Sequence, residues 1–207
     1  MLTWKQLNQK APKPAGRPPS FDRDEALKRA MHVFWQKGFE GSSLNDLTAA
    51  MGIQPASLYK GFGNKQALFE QALALYLAGP VAFIHGALTA PTAYAVAEGI
   101  LHQTAEFLTR KGARTGCMTI QAALAGSAAA EPVRRKLVAL RVKDQESLRR
   151  RFARAISEGD LPPTANAADL ARFITTIFQG MTVQAINGAN RKELLRLSDF
   201  AMRAWPK

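Results

Sequence analysis

"LTAAMGIQPASLYKGF" (residues 47–62) decides the reading of this chain. It holds two short apolar-periodic runs divided by one glycine, Gly52, with Pro55 opening the second run. Isolated helices of fewer than about 12–15 residues are marginal in water. Two such helices kept side by side must therefore be braced by the rest of the fold, for a purpose that the flanking sequence has to reveal.

Working outward, "FDRDEALKRAMHVFWQKGF" (21–39) places Ala26, Ala30, Val33 and Phe34 near helical spacing. Asp22, Asp24 and Glu25 suit the positive end of the helix dipole, and Gly38 supplies the stop. Ser43 and Asp46 match a Ser-x-x-Asp capping box opening the next helix, whose Leu44, Leu47 and Met51 share a face up to Gly52. The third helix starts at Gln54, with Pro55 where a missing N–H costs little. On a wheel of about 100° per residue with Leu58 at zero, Phe62 (about 40°) and Pro55 (about 60°) turn inward. Ala56 (about 160°) and Lys60 (about 200°) turn outward, flanked by Ser57 and Tyr59 at about 100° to either side. A cation, a hydroxyl, a phenol and a small methyl suit phosphate oxygens, base edges and the thymine methyl. The geometry is that of a helix-turn-helix with its third helix aimed at the major groove; a generic three-helix bundle tolerates the same residues.

Bulk properties agree with a nucleic-acid partner. The 207 residues can bury a hydrophobic core, and 28 Lys and Arg against 16 Asp and Glu give a formal charge of +12. Ala and Leu are abundant and alternating β-branched runs nearly absent, so the fold class is all-α. Lys5, Lys10, Lys13 and Arg17 stand in residues 1–20 with no acidic partner, whereas residues 22–70 carry as many acids as bases. "APKPAGRPPS" (11–20) cannot be helical, and the segment reads as an extended basic arm. A solubilising tail explains Lys5 and Lys10 equally well, while Arg17 is close enough to the first helix to meet nucleic acid. Cys117 is the single cysteine, so no internal disulfide can form and a reducing cytoplasm fits. No signal-peptide stretch opens the chain. Residues 71–97 lack any Asp, Glu, Lys or Arg, but Gly79-Pro80, His85, Gly86 and Pro91 interrupt them, so a buried core is expected rather than a membrane span.

The segment "FWQKGFEGSSLNDLTAAMGIQPASLYKGFGNKQALFEQAL" (34–73) closely resembles the DNA-binding segment of the TetR family of bacterial transcriptional repressors. The resemblance rests on Gly38-Phe39, on Ser43, on the turn formed by Leu47, Gly52 and Ile53, and on Leu58, Tyr59, Phe62, Lys65 and Leu68. It implies a homodimer in which Tyr59, Lys65 and the Ser43 hydroxyl hold phosphates, while Ser57, Lys60 and Gln54 approach bases and Ala56 shares their face. The "GRPPS" at 16–20 also occurs in family members, where such an arm reaches the adjacent minor groove; Arg17 would make that contact. Two departures stand out. Gln54 replaces a commoner serine, weakening the cap but offering an amide to adenine. Gly61 replaces a bulky residue before Phe62 and loosens the helix's last turn.

The rest of the chain resembles the family in helicity and length. Residues 65–79 read as a connecting helix ended by Gly79-Pro80, and 94–109, 117–128 and 133–157 as further helices. Arg149-Arg150-Arg151 reads as a solvated face. Segments 167–189 and 191–205 are apolar on most sides and read as a pair buried against a second copy, which the family's four-helix dimer interface implies. A two-fold dimer calls for a palindromic operator. Segments 71–97 and 115–130 read as walls of an apolar cavity for a small-molecule inducer, with Phe83, Tyr94, His102, Phe107, Met118 and Gln121 as candidate lining residues; each also reads as plain core. Cys117, at a helix start in "TGCMTI", is a candidate redox or electrophile sensor as some family members carry, or a small buried hydrophobe.

The organisation expected is an arm over 1–20, a helix-turn-helix DNA-binding domain over 21–66, and a helical ligand-binding and dimerisation domain over 67–207. His32, His85, His102 and Cys117 show no metal-ligand spacing, and no phosphate loop or nucleophile motif occurs, so neither an enzyme nor a cofactor or metal is expected. A ligand-responsive repressor fits better than a purely architectural DNA binder, because the latter would not need so large an apolar region.

Overall fold

A computed structural model describes residues 21–110, 116–121 and 130–206, all of its regular structure being helical. The head comprises α1 (Arg23–Gly41), α2 (Leu44–Met51), α3 (Pro55–Phe62) and the start of α4 (Lys65–Ala78). Beyond it lie α5 (Phe83–Ala87), α6 (Ala93–Thr109), α7 (Met118–Gln121), α8 (Glu131–Ser157), α9 (Ala167–Ile186) and α10 (Arg191–Arg203).

Helix α1 is capped by Asp22, whose carboxylate accepts the Asp24 and Glu25 N–H groups, and it is interrupted at Gly38, where φ is 69°. The capping leaves Ala26, Ala30 and Phe34 facing the head core with Leu47, Met51, Leu58, Phe62, Leu68 and Phe69. Phe34 meets Phe69 edge-on at 5.1 Å and Phe39 does so at 5.3 Å. Val33 is only half-buried; Met31 and Trp35 are buried instead. The reason is that α1 packs on two sides: Trp35 turns away from the head and stacks on Phe107 of α6 at 5.6 Å.

Gly79 ends α4, and α6 runs through the centre of the second half, packed on α5, α9 and α10. Arg191 with Glu106, and His102 with Asp199 at 3.0 Å, lace α6 to α10 from outside. Lys136 of α8 reaches Glu70 of α4 at 2.5 Å.

Arg151 corrects one expectation from the sequence. Arg149 and Arg150 do lie outside, beside Glu146, but Arg151 is buried and donates to the carbonyls of Leu88, Ala90 and Pro91. Those carbonyls follow the short α5, where no further helical N–H exists to meet them, so a long side chain from α8 does. The helix expected over 117–128 is seen as Met118–Gln121; residues 122–129 lie outside the described residues.

Candidate nucleic-acid interface and cavity

The α2–turn–α3 unit is held by local hydrogen bonds that its sequence dictates. Ser43 Oγ accepts the Asp46 N–H at 3.0 Å, and Asp46 Oδ2 accepts the Ser43 N–H at 2.9 Å, completing a capping box. The Ser43 hydroxyl also donates to Asp46 at 2.7 Å, so it braces α2 as well as facing solvent. Lys37 of α1 grips the same carboxylate at 2.6 Å. With those donors around it, Asp46 stays ionised well below the usual carboxylate range. Gly52 closes α2 in the left-handed conformation (φ 68°), which a β-carbon would strain, and passes the chain to Gln54. Gln54 makes no side-chain cap bond, so its amide is free of the helix end.

On α3, Leu58 and Phe62 are buried while Ala56, Tyr59 and Lys60 are exposed, Tyr59 at 51%. Ser57 is half-buried, in a groove shared with Asn45, Thr48, Ala49 and Gln54. Pro55 departs from the wheel: at the first helical position it is exposed. Lys65 heads α4 half-buried, its ammonium 4.6 Å from the Phe39 ring centre, and burial pushes its pKa below the ordinary value. Gln54 at the N-cap and Ala56, Tyr59 and Lys60 on α3 are thus exposed, with Ser57 and Lys65 half-buried. Arg17 lies outside the described residues.

A second site lies between α4, α5, α6, α8 and α9. It is a narrow cavity of about 50 Å³, enough for a few waters, walled by Leu77, Val81, Ile84, Ile100, Leu148 and Ile174. Its polar groups are the Cys117 thiol, Thr119, Thr175, Gln179, Arg141 and the His85–Asp144 pair at 3.4 Å. Burial raises the Asp144 carboxyl pKa despite its imidazole neighbour.

Among the described residues, the sensor candidate Cys117 lines this cavity, whereas the expected lining residues Phe83, Tyr94, His102, Phe107 and Met118 do not. Tyr94 is 45% exposed and donates to Glu98, and His102 is a surface partner of Asp199. Phe83 and Phe107 pack on each other at 5.7 Å, Phe107 being part of the cluster around Trp35. Met118 is buried with its N–H donated to the Tyr76 hydroxyl, and the side chain of Gln121 lies outside the described residues. Arg141 and Asp144 were legible but masked by their charge. They continue the inward stripe of Leu137 and Leu148 at spacings of four, three and four, and two charges within an apolar stripe mark a polar lining.

Cys117 is 1% exposed, 3.4 Å from the Tyr76 hydroxyl that donates to it and 3.1 Å from Thr119 Oγ1. Beside it, the Gly116 carbonyl accepts the Trp35 indole N–H at 2.8 Å. Residues 116–118 are therefore bound to α1 through Trp35 and to α4 through Tyr76.

Comparison with known proteins bears on both sites. Residues 26–72 match the family described as bacterial regulatory proteins, tetR family, and residues 98–195 match the tetracyclin repressor-like C-terminal domain. The HTH-type transcriptional repressor ComR of Escherichia coli K12 is 31% identical over 198 residues, covering 94% of each chain. The repressor BdcR of the same organism is 31% identical over 117 residues, 56% of this chain and 59% of its own. Among solved structures, a cysteine mutant of the TetR-family regulator CifR, complexed with 26-bp double-strand operator DNA, superposes with a TM-score of 0.88 at 42% identity. That match covers 92% of this chain and all of the CifR chain. Together with the capped helix-turn-helix, they establish that the chain belongs to the TetR family of bacterial transcriptional regulators, proteins that bind DNA and are not enzymes.

Proposed function

We propose that this regulator represses transcription as a homodimer on a palindromic operator, with α3 in the major groove, and lets go when a small molecule fills the cavity. The observation that carries the reading is the division of α3: Leu58 and Phe62 are buried in the head, while Ala56, Tyr59 and Lys60 are exposed and Ser57 is half-buried. In this reading Lys60, Ser57, Ala56 and Gln54 meet bases, while Tyr59, Lys65 and Ser43 hold phosphates and Arg17 enters the minor groove. Exposed Val183 and Ile186 on α9 and Phe200 on α10 give the second copy an apolar surface. A ligand of more than a few heavy atoms must enlarge the cavity, and its wall at Cys117–Ile120 cannot move without pulling on Trp35 and Tyr76. The cytoplasm is where such a regulator meets its DNA.

The test is selection of bound fragments from the source genome, followed by anisotropy titrations on the recovered site and on random DNA. Lys60→Ala should change sequence preference, whereas Lys65→Ala should weaken binding to all sequences and lower the salt slope by about one. Equal loss on operator and random DNA for Lys60→Ala refutes the assignment of α3.

A second reading follows from the placement of Cys117 on the cavity wall. There the thiol itself reacts with an electrophile, and the added group displaces residues 116–118 from Trp35 and Tyr76 and so releases the head. An unchanged response to N-ethylmaleimide in Cys117→Ser ends it.

A further inference from the structure

Glycine is a poor helix former, and Gly61 sits inside an eight-residue helix, so its presence calls for a reason. The structure supplies one. A β-carbon built on Gly61 would lie 3.2 Å from Cζ of Phe21, tighter than ordinary van der Waals contact. The Phe21 ring uses the space that a side chain would fill, and its centre is 6.2 Å from that of Phe62. Two residues on, Arg23 completes the contact. Its Nε donates to the Gly61 carbonyl at 3.4 Å, its guanidinium carbon lies 4.8 Å over the Phe62 ring, and its Nη2 donates to the side-chain carbonyl of Gln71 of α4. Gln71 in turn donates to the carbonyls of Phe62 at 3.4 Å and Ala67 at 3.2 Å. The last carbonyls of a helix have no partner of their own, so these side chains serve as its C-terminal clasp.

We infer that Phe21, Arg23 and Gln71, closing on the side-chain-free Gly61, form a latch that sets the tilt of α3 against α4, and that they are positioning residues for sequence reading. The inference rests on α3 being the reading helix. A glycine here does not loosen the last turn; it admits the ring that fixes it. Because α3 is only two turns long, a small rotation at Gly61 displaces Ala56, Tyr59 and Lys60 together, so the latch acts on discrimination between sequences rather than on charge.

The test measures operator and random-DNA affinity over a salt series for full-length Phe21→Ala, Gly61→Ala, their double variant, Arg23→Gln and the control Lys60→Ala. Phe21→Ala should lower the ratio of operator to random binding about tenfold, within the range of coupling between contacting residues. Gly61→Ala, which favours helix and so keeps α3 folded, should lower the ratio a few-fold when Phe21 is present and not at all when it is alanine. Arg23→Gln should lower the ratio with its salt slope unchanged. The latch is overturned if Phe21→Ala leaves the ratio intact, or if Gly61→Ala acts equally in both backgrounds. It is also overturned if Arg23→Gln reduces the slope by about one at constant ratio, the mark of a phosphate contact. Failure of Lys60→Ala to alter preference instead counts against α3 as the reader.

Discussion

Replacing Trp35 with Phe tests the joint between head and cavity. The indole is 4% exposed, its N–H meets the Gly116 carbonyl at 2.8 Å, and its ring lies between Tyr76 (5.0 Å, edge-on) and Phe107 (5.6 Å, stacked). Phenylalanine keeps an aromatic face but orphans the carbonyl, a loss of about 1–3 kcal/mol. The smaller ring also leaves a void, adding roughly 1 kcal/mol when the pocket closes partly. The expected cost is thus about 2–4 kcal/mol. At roughly 2–4 °C per kcal/mol for a chain of this size, the melting temperature falls by about 5–15 °C. Circular dichroism melts at a fixed protein concentration read this directly. If the bond also transmits cavity occupancy, the variant that remains folded at 25 °C should hold operator DNA but respond less to any inducer. A melting shift below about 1 °C would refute the premise that the indole bond is a structural tie between α1 and residues 116–118.

Arg151→Ala should cost about 1–3 kcal/mol in urea denaturation, since it removes a buried side chain that meets three carbonyls, while Arg150→Ala, beside Glu146 on the surface, should cost under about 1 kcal/mol. Asp144→Asn should raise the melting temperature at pH 8. The Asp144 carboxyl pKa is raised by burial, so its contribution to stability is full below the unfolded value near 3.8 and is lost as pH rises through the folded value. Asparagine removes the buried charge, and its advantage should vanish below about pH 3.8; an advantage that persists in acid would count against this origin. Ser43→Ala should lower stability by about 1 kcal/mol through loss of the α2 cap, and should do so in melts without DNA. Phe200→Asp should shift the sedimentation coefficient toward that of a monomer, and unchanged sedimentation would remove α10 from the proposed interface.

The reading head was legible because its signals are local. Ser43 and Asp46 cap across three residues, Gly52 has the one backbone conformation that ends α2, and Leu58 and Phe62 repeat at helical spacing; each is settled within one or two turns of chain. The exposed α3 face follows from the same periodicity, apart from Pro55, which the wheel turns inward and the structure leaves exposed. The cavity was not legible in this way. Its lining joins Leu77, Cys117, Arg141 and Gln179 from four stretches of chain, and no periodicity within one stretch says which partner its polar residues will face. His102 and Tyr94 read as candidate cavity-lining residues, yet His102 meets Asp199 of α10 at the surface and Tyr94 is exposed beside Glu98 of its own helix.

By itself, then, the sequence determined an all-helical regulator with a capped helix-turn-helix and a cationic, hydroxyl-bearing exposed face on α3, because caps, turns and helical faces are written over a few consecutive residues. The tertiary structure alone decided what Gly61 is for, where Arg151 goes and which residues surround Cys117. Those outcomes depend on side chains meeting backbone carbonyls 38 to 81 positions away: Arg23 with Gly61, Arg151 with Leu88, and Trp35 with Gly116. Such meetings are fixed by how whole helices pack, and packing is chosen by the total burial of every helix together rather than by the pattern of any one.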